Sequence, residues 1–314
     1  MADNILVTGG AGFIGSHVVN ALIEKNIMPI VVDNLSSGKI ENLDPRALFY
    51  QQDITDDEMM EKIFMLHKPK YVFHLAAQIS VSNSVKDPIE DARINIIGSL
   101  KLLEFSVKYG VEKFIFSSTG GAIYGDDVSE IPTSENEFPK PISPYGIAKF
   151  SVENYLRFYN YQHGLKYAVL RYANVYGPRQ DPHGEAGVVA IFSERMLKDD
   201  EVIIFGDGEN IRDYVYVTDV ASANLLAMEK LENEVVNICT GVGTSVNELF
   251  AALKKSTGYS KEPIHADPRP GDLRKSILSW EKAKNLMGWK PSVRLNDGLV
   301  KTVEFFRNKL ETAQ

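Results

Sequence analysis

The stretch Asn4-Ile-Leu-Val-Thr-Gly-Gly-Ala-Gly-Phe-Ile-Gly15 constrains the fold of this chain more than any other segment. An apolar run rich in β-formers breaks into glycines, and apolar residues then return at helical spacing through Phe13, Val18, Val19 and Leu22. This is a strand, a tight turn and a helix start. Without Cβ atoms at Gly9, Gly12 and Gly15 the backbone can turn sharply and approach a pyrophosphate. Its charge then faces the free N–H groups of the helix N-terminus at Phe13, Ile14 and Gly15. Gly10, Gly12 and Gly15 satisfy G-x-G-x-x-G while Gly9, Gly12 and Gly15 satisfy G-x-x-G-x-x-G, so the glycines do not choose between two related subclasses. A plain glycine turn is the alternative, and the next apolar run argues against it. Met28 to Val32 ends in Asp33, where a carboxylate can accept both hydroxyls of an adenine ribose. Asp33 repels a 2′-phosphate and Asn34-Leu-Ser-Ser-Gly38 offers no Arg to receive one, so the sequence favours NAD over NADP, although Lys39 follows directly.

Strand-like runs at 4 to 8, 28 to 32, 47 to 50, 71 to 76, 113 to 118, 166 to 172 and 235 to 239 alternate with helix-like stretches through about residue 163. Alternation of this kind predicts an α/β fold, a Rossmann-type doubly wound parallel sheet covered on both faces. Ligands of such sheets bind beyond the carboxyl ends of the strands, where Gly9 to Gly15, Asp33, Asp53, Leu75 to Gln78 and Ser117 to Thr119 would gather. After Gly177-Pro178 the pattern changes to Gly-, Pro-, Asp- and Arg-rich loops, a helix around Val188 to Lys198, and short helices to the C-terminus. A smaller α/β substrate-binding lobe is implied. Tyr214 to Met228 reads as a helix and Val235 to Thr240 as a strand, both returning to the first lobe. The expected division is therefore 1–178 plus about 213–240 for the NAD-binding domain, and about 179–212 plus 241–314 for the second.

With 314 residues, 44% of them hydrophobic, the chain can bury one large or two smaller cores. A formal net charge of −8 with no basic block argues against nucleic acid or an anionic membrane as a partner. The single cysteine, Cys239, allows no intramolecular disulfide, reads as a buried strand thiol, and fits a reducing cytoplasm. No charged-then-apolar leader precedes the first strand, and no apolar run approaches the length of a membrane span. The six histidines are scattered without ligand-like spacing, so no metal is expected.

Ser143-Pro-Tyr-Gly-Ile-Ala-Lys149 sets a phenol and an ammonium four residues apart, on one face of a helix. A positive neighbour favours a phenolate, so Tyr145 beside Lys149 could accept a proton near neutral pH. The plain alternative is an amphipathic helix with a snorkelling Lys. Upstream, Lys113-Phe-Ile-Phe-Ser-Ser-Thr119 ends in three hydroxyls, which could donate to an oxygen developing on a substrate or merely satisfy turn backbone.

Together with Thr8-Gly-Gly-Ala-Gly-Phe-Ile-Gly15, the hydroxyl, Tyr and Lys set resembles the extended short-chain dehydrogenase/reductase superfamily from Asn4 to about Phe306. Within it the sequence resembles the UDP-glucose 4-epimerase family. The matching motifs are Asp33-Asn-Leu-Ser-Ser-Gly38, Phe73-His-Leu-Ala-Ala77, Asn95, Ser143-Pro-Tyr145, Leu170-Arg-Tyr-Ala-Asn-Val-Tyr-Gly-Pro178, Arg212-Asp-Tyr214 and Arg269-Pro-Gly-Asp272. The resemblance implies that Ser117, Tyr145, Lys149 and Tyr172 flank the nicotinamide. Asp33, Asn34, Ser36, Ser37 and Gly38 would flank the adenosine ribose, and Asp53 with Ile54 the adenine. Leu75, Ala76, Ala77, Gln78 and Asn95 would line the middle of the cofactor. For a UDP-hexose it implicates Thr119, Tyr145, Asn174, Val188, Ile203, Phe205, Arg212, Arg269, Asp272 and Ser276. Two guanidinium forks facing a pyrophosphate suit the net acidity of the chain.

Many family members place three residues between the hydroxyl run and Tyr-Gly, whereas this chain places four after Thr119. Counting from the strand selects Thr119 as the active-site hydroxyl, with Ser118 as the alternative. Related dehydratases and decarboxylases carry an acid where this chain has Gly120 and Gly121, so the resemblance implies oxidation and re-reduction alone. Tyr145 would take the C4 hydroxyl proton, and hydride would pass from C4 to NAD and return to the opposite face of the 4-keto sugar. Ser276, in place of a bulky residue, would leave room for UDP-N-acetylhexosamines. The competing readings are a 4-epimerase of UDP-glucuronate or another nucleotide sugar, and a non-catalytic NAD-binding regulator. The resemblance further implies a homodimer through helices at about 88 to 109 and 144 to 163, whose Leu102, Leu103, Phe105, Tyr155 and Phe158 could equally be core.

Overall fold

In the computed structural model, which describes residues 4–183, 187–268 and 272–312, short apolar runs become strands because they are covered on both sides. The strands are β1 (Ile5–Thr8), β2 (Ile30–Asp33), β3 (Leu48–Gln51), β4 (Tyr71–His74), β5 (Lys113–Thr119), β6 (Lys166–Tyr172), β7 (Asn174–Tyr176), β8 (Ile203–Phe205), β9 (Ile211–Tyr216), β10 (Glu234–Ile238), β11 (Gly243–Ser245), β12 (Ile264–Ala266) and β13 (Lys275–Ser276). The α-helices are α1 (Phe13–Glu24), α2 (Asp57–His67), α3 (Val81–Lys86), α4 (Pro88–Ala92), α5 (Ser99–Lys108), α6 (Pro144–His163), α7 (Val188–Leu197), α8 (Val217–Lys230), α9 (Val246–Thr257), α10 (Glu281–Met287) and α11 (Leu295–Thr312).

Seven strands pair in parallel in the order β3-β2-β1-β4-β5-β6-β10. This is the doubly wound α/β sheet the alternation predicts. Successive side chains alternate between faces, so Ile5 and Val7 join α1 and α8 in one core, through Val18, Leu22, Val220 and Ala223. Leu6, Val72, Phe114 and Phe116 pack on the other face against α2, α5 and α6, through Phe64, Leu102, Leu103, Val152 and Leu156. Strand order reverses between β1 and β4, the point beyond whose carboxyl ends sheets of this kind take their ligands.

Beside this sheet β9 pairs with β7, β11 and β13, while β8 pairs with β12. Phe192, Leu249, Leu253, Leu299 and Val303 hold α7, α9 and α11 around them. Three local expectations change. Tyr214 to Tyr216 is strand, not helix, because Tyr214 and Tyr216 alternate onto Tyr176, and α8 begins only at Val217. The chain ends not in short helices alone but in the 18-residue α11. The segment from 88 to 109 is no uniform helix: a π-helical stretch, Arg93–Gly98, separates α4 from α5. The two parts are joined by buried carboxylates. Asp213 accepts hydrogen bonds from the Thr240 N–H and hydroxyl and the Gly241 N–H, and Asp219 accepts from Ser292 and Val293.

Candidate active site

The turn after β1 is shaped by close backbone approach. Gly9 has φ +70°, and a Cβ there would lie 2.6 Å from the Ala76 nitrogen. A Cβ on Gly15 would lie 2.0 Å from the Gly9 oxygen, so the first turn of α1 sits directly on the loop. The helix start at Phe13, Ile14 and Gly15 has no side-chain cap, which leaves N–H groups for an anion. Asp33, at the end of β2, accepts from the Ala11 and Leu35 N–H groups at 3.0 and 2.8 Å, and Gly38 packs so closely that a Cβ would be 2.7 Å from the carboxylate. Asn34 turns back to cap the Ser36 N–H and donates to Asp53. Burial pushes the Asp53 carboxyl up, yet the hydroxyl and N–H of Thr55 and the Asn34 amide hold it below its ordinary value. Ser37 is exposed beside them. Lys39 points toward Asp181, 3.9 Å away. The glycine cradle, the free helix end and the Asp33 carboxylate at the strand end fit a dinucleotide lacking a 2′-phosphate.

The middle of the crevice is built by His74 and Asn95. The Ser99 hydroxyl donates to the Asn95 carbonyl at 2.6 Å, so His74 Nε2 must donate to Ser99, and Nδ1 then accepts from Thr8 at 2.7 Å. Burial pulls His74 down to about 3, in keeping with that neutral tautomer. Leu75 hydrogen-bonds back to Thr8, and Ala76 donates to the Thr8 hydroxyl. Beyond Ala77, the Asn95 amide holds Gln78 through both its N–H and C=O. Ile54 is buried against the same π-helical stretch, 3.1 Å from where a Gly98 Cβ would be.

The proposed chemical groups meet at the end of β5. Ser143 caps α6, Pro144 starts it, and a Cβ on Gly146 would lie 2.4 Å from the Ala122 oxygen. That approach brings Tyr145 over the turn that follows Thr119. Lys149 is 4% exposed, donates to the Ser117 carbonyl at 2.9 Å and lies 5.9 Å from the Tyr145 ring centre. Burial lowers the Lys149 ammonium to about 8, while Asp91 and Glu153 oppose the shift. Burial, reinforced by Asp91, pushes the Tyr145 phenol well above its ordinary value. Burial of Tyr145, together with Asp91, therefore works against the near-neutral phenolate expected beside Lys149.

Strand alternation separates the three hydroxyls. Ser117 contacts Tyr172 at 3.0 Å, and Asn224 of α8 holds the same phenol, which burial raises to about 12. Thr119 accepts from the Ala122 N–H and remains partly exposed to the crevice. Ser118 points to the opposite face and donates to Glu153 at 2.6 Å. Glu153 is also the bidentate partner of buried Arg171, at 2.6 and 3.1 Å, and Arg171 contacts Tyr124. Ser118 therefore drops out as an active-site hydroxyl, because its proton is committed to a buried ion pair. A Cβ on Gly120 would be 2.2 Å from Leu278 Cδ1, so the Leu278 side chain would have to move to admit one.

A profile of the NAD dependent epimerase/dehydratase family matches residues 5–239. The chain belongs to that NAD-dependent family. Among solved structures similar to this family member, UDP-glucose 4-epimerase with UDP-glucose from Thermotoga maritima shares 69% identity, covers 98% of this chain and 99% of its own, and superposes with a TM-score of 0.97. The Thermus thermophilus UDP-glucose 4-epimerase in complex with NAD is 47% identical, with a TM-score of 0.92 and coverage of 97% and 99%. A UDP-N-acetylglucosamine 4-epimerase from Methanobrevibacter ruminantium, in complex with UDP-N-acetylmuramic acid, is 38% identical, with a TM-score of 0.93 and coverage of 98% and 100%.

On the sugar side of this epimerase/dehydratase, Asn174 lies opposite Gly121, its Oδ1 3.8 Å from where a Cβ would be. Arg212 pairs with Asp272, which also accepts from Asn210 at 2.9 Å, and Ser276 lies in register beside Arg212. Ile203 and Phe205 project from the exposed side of β8 and Val188 begins α7. Arg269 lies outside the described residues. Three contributors escape the sequence reading: His74, the Arg171–Glu153 pair and Asp91. The last carries a legible signal, since Asp91 and Asn95 stand four residues apart and their side chains meet at 2.9 Å.

Proposed function

We propose that this chain is a 4-epimerase interconverting UDP-glucose and UDP-galactose, and so serving galactose metabolism. The observation that carries the reading is Lys149 tied to the Ser117 carbonyl and lying near the Tyr145 ring at the end of β5, followed by Gly120, which has no side chain to supply an acid. NAD bound in the crevice would supply a reversible hydride acceptor for C4 and a positively charged ring. Tyr145 takes and returns the C4 hydroxyl proton. Thr119 donates to the C4 oxygen, and Lys149 fixes the field around the phenol while tied to Ser117. With no acid at Gly120 or Gly121, elimination has no proton donor there, and the keto sugar is re-reduced. Arg212, with Arg269, receives the pyrophosphate, and Asp272, Val188, Ile203 and Phe205 receive the uridine, so the hexose alone reorients.

The UDP-glucose bound to the Thermotoga maritima enzyme supports this substrate class. A second activity on UDP-N-acetylhexosamines is favoured by the small Ser276 beside Arg212 and by the N-acetylglucosamine epimerase among the similar structures. We further assign a homodimer. Val85, Ile89, Ile97, Tyr155, Phe158 and Tyr161 are all exposed along α3, α4, the π-helical stretch and α6, an apolar strip of the kind a second copy covers. No helix among the described residues is long and apolar enough to cross a membrane, and the single buried thiol of Cys239 suits a reducing cytoplasm.

The test is turnover of a UDP-sugar panel by the NAD-loaded protein. Conversion of UDP-glucose with at least a hundredfold loss in Tyr145→Phe, NAD content unchanged, supports the assignment. Turnover of UDP-glucuronate in preference, or normal activity of Tyr145→Phe, refutes it.

A further inference from the structure

Asp91, 2% exposed on the interior side of α4, has no cationic hydrogen-bond partner among the described residues. One oxygen accepts from Gln78 Nε2 at 2.8 Å and Asn95 Nδ2 at 2.9 Å, so a carboxyl stands where an amide oxygen could make the same two bonds. Gln78 is further locked by Ser80, whose N–H it accepts and whose carbonyl it contacts. α4 and the π-helical stretch pack on α6, which carries Tyr145 and Lys149. Burying a carboxylate there is costly, and a neutral residue of the same size would satisfy two amide donors at lower cost. The charge itself is therefore the feature to explain.

We propose that Asp91 is a positioning residue of the reaction: the fixed negative charge against which Tyr145 and Lys149 work, and the tie between that pair and the cofactor-lining loop at Leu75–Gln78. The proposal rests on the reading of Tyr145 as the proton shuttle. Coulombic interaction with Asp91 is felt by both members, raising the phenol and supporting the ammonium, while Lys149 in turn lowers the carboxyl of Asp91 against the upward push of its burial. The other ionisable groups around them are Glu153 on α6, which supports Lys149, and neutral His74 on β4. Glu90 and Arg93 pair with each other on the solvent side of the same helical segment. Asp91 thus adds to the burial that keeps the proton on Tyr145 and, with Glu153, helps Lys149 hold its charge.

The experiment uses NAD-loaded protein and compares pH profiles of kcat and kcat/KM for the wild type, Asp91→Asn and Asp91→Ser, two neutral residues of different shape. Loss of the charge removes what raises Tyr145 and what supports Lys149, so both limbs should move to lower pH together, by about one unit. Asp91→Glu, which restores the charge, should bring them back toward the wild type. Unmoved limbs in both neutral variants, movement in only one of them, or failure of both to retain NAD would overturn the proposal and leave Asp91 a structural residue. Tyr145→Phe in parallel separates this from the underlying reading: if it retains activity with the same acidic limb, the assignment of Tyr145 fails whatever Asp91 does.

Discussion

Thr119 and Ser118 are adjacent hydroxyls with opposite fates, and the pleat of β5 decides between them. Thr119→Val should lower kcat by about 10² to 10³, the effect of removing one positioned donor, with the fold intact by circular dichroism. Ser118→Ala should leave kcat within a few-fold and reduce stability by about 1 kcal/mol, read in urea unfolding, because Glu153 loses a donor but keeps Arg171. Arg171→Met strands the buried Glu153 carboxylate and should cost about 3–5 kcal/mol. His74 gives a pH signature. Its folded value near 3 lies below the ordinary value of 6.5, so the unfolded chain binds the proton first. The stabilising contribution is complete above pH 6.5 and falls away as pH drops toward 3, and a His74→Gln variant should show a flatter acid limb of stability. At this scale the glycines, Asp33 and the Tyr145–Lys149 spacing were legible because each belongs to a local pattern. His74 and Arg171 were not, since their partners Thr8, Ser99 and Glu153 are brought to them by sheet pairing and helix packing.

Among elements, the β1–α1 turn and α6 derive their positions from glycines in contact with backbone. Gly15→Ala must push α1 off Gly9 and should abolish retention of NAD on purification, measured by the absorbance of released nucleotide. Strands of the central sheet could be located from sequence to within a residue or two, because each is an apolar run between polar breaks. The short strands β7, β8 and β11 to β13 have two or three residues each and no periodicity to show. The boundary at Tyr216 was missed for another reason: Tyr214-Val-Tyr216 reads as the first turn of the apolar helix that follows, and only packing on Tyr176 makes it strand. The π-helical stretch is equally silent in sequence, yet it carries Asn95.

For the whole molecule, the exposed strip on α4 and α6 carries the next expectation. Ile89, 82% exposed, replaced by Glu should shift sedimentation from a dimer to a monomer while the monomer keeps its NAD. The predicted sheet class survives at this scale because burial on both faces is written into every central strand. How the second sheet attaches is not written locally, since it depends on Asp213 reaching Thr240 and Asp219 reaching Ser292, residues far apart in the chain. Those two carboxylates, with the passages of the chain at Tyr172–Asn174, Tyr216–Val217 and Ile238–Gly243, sew the second sheet and its helices to the central sheet at several points. Such a part cannot be lifted out and exchanged as a cassette. New substrates must come to this scaffold one loop residue at a time, on a frame that has to stay threaded throughout.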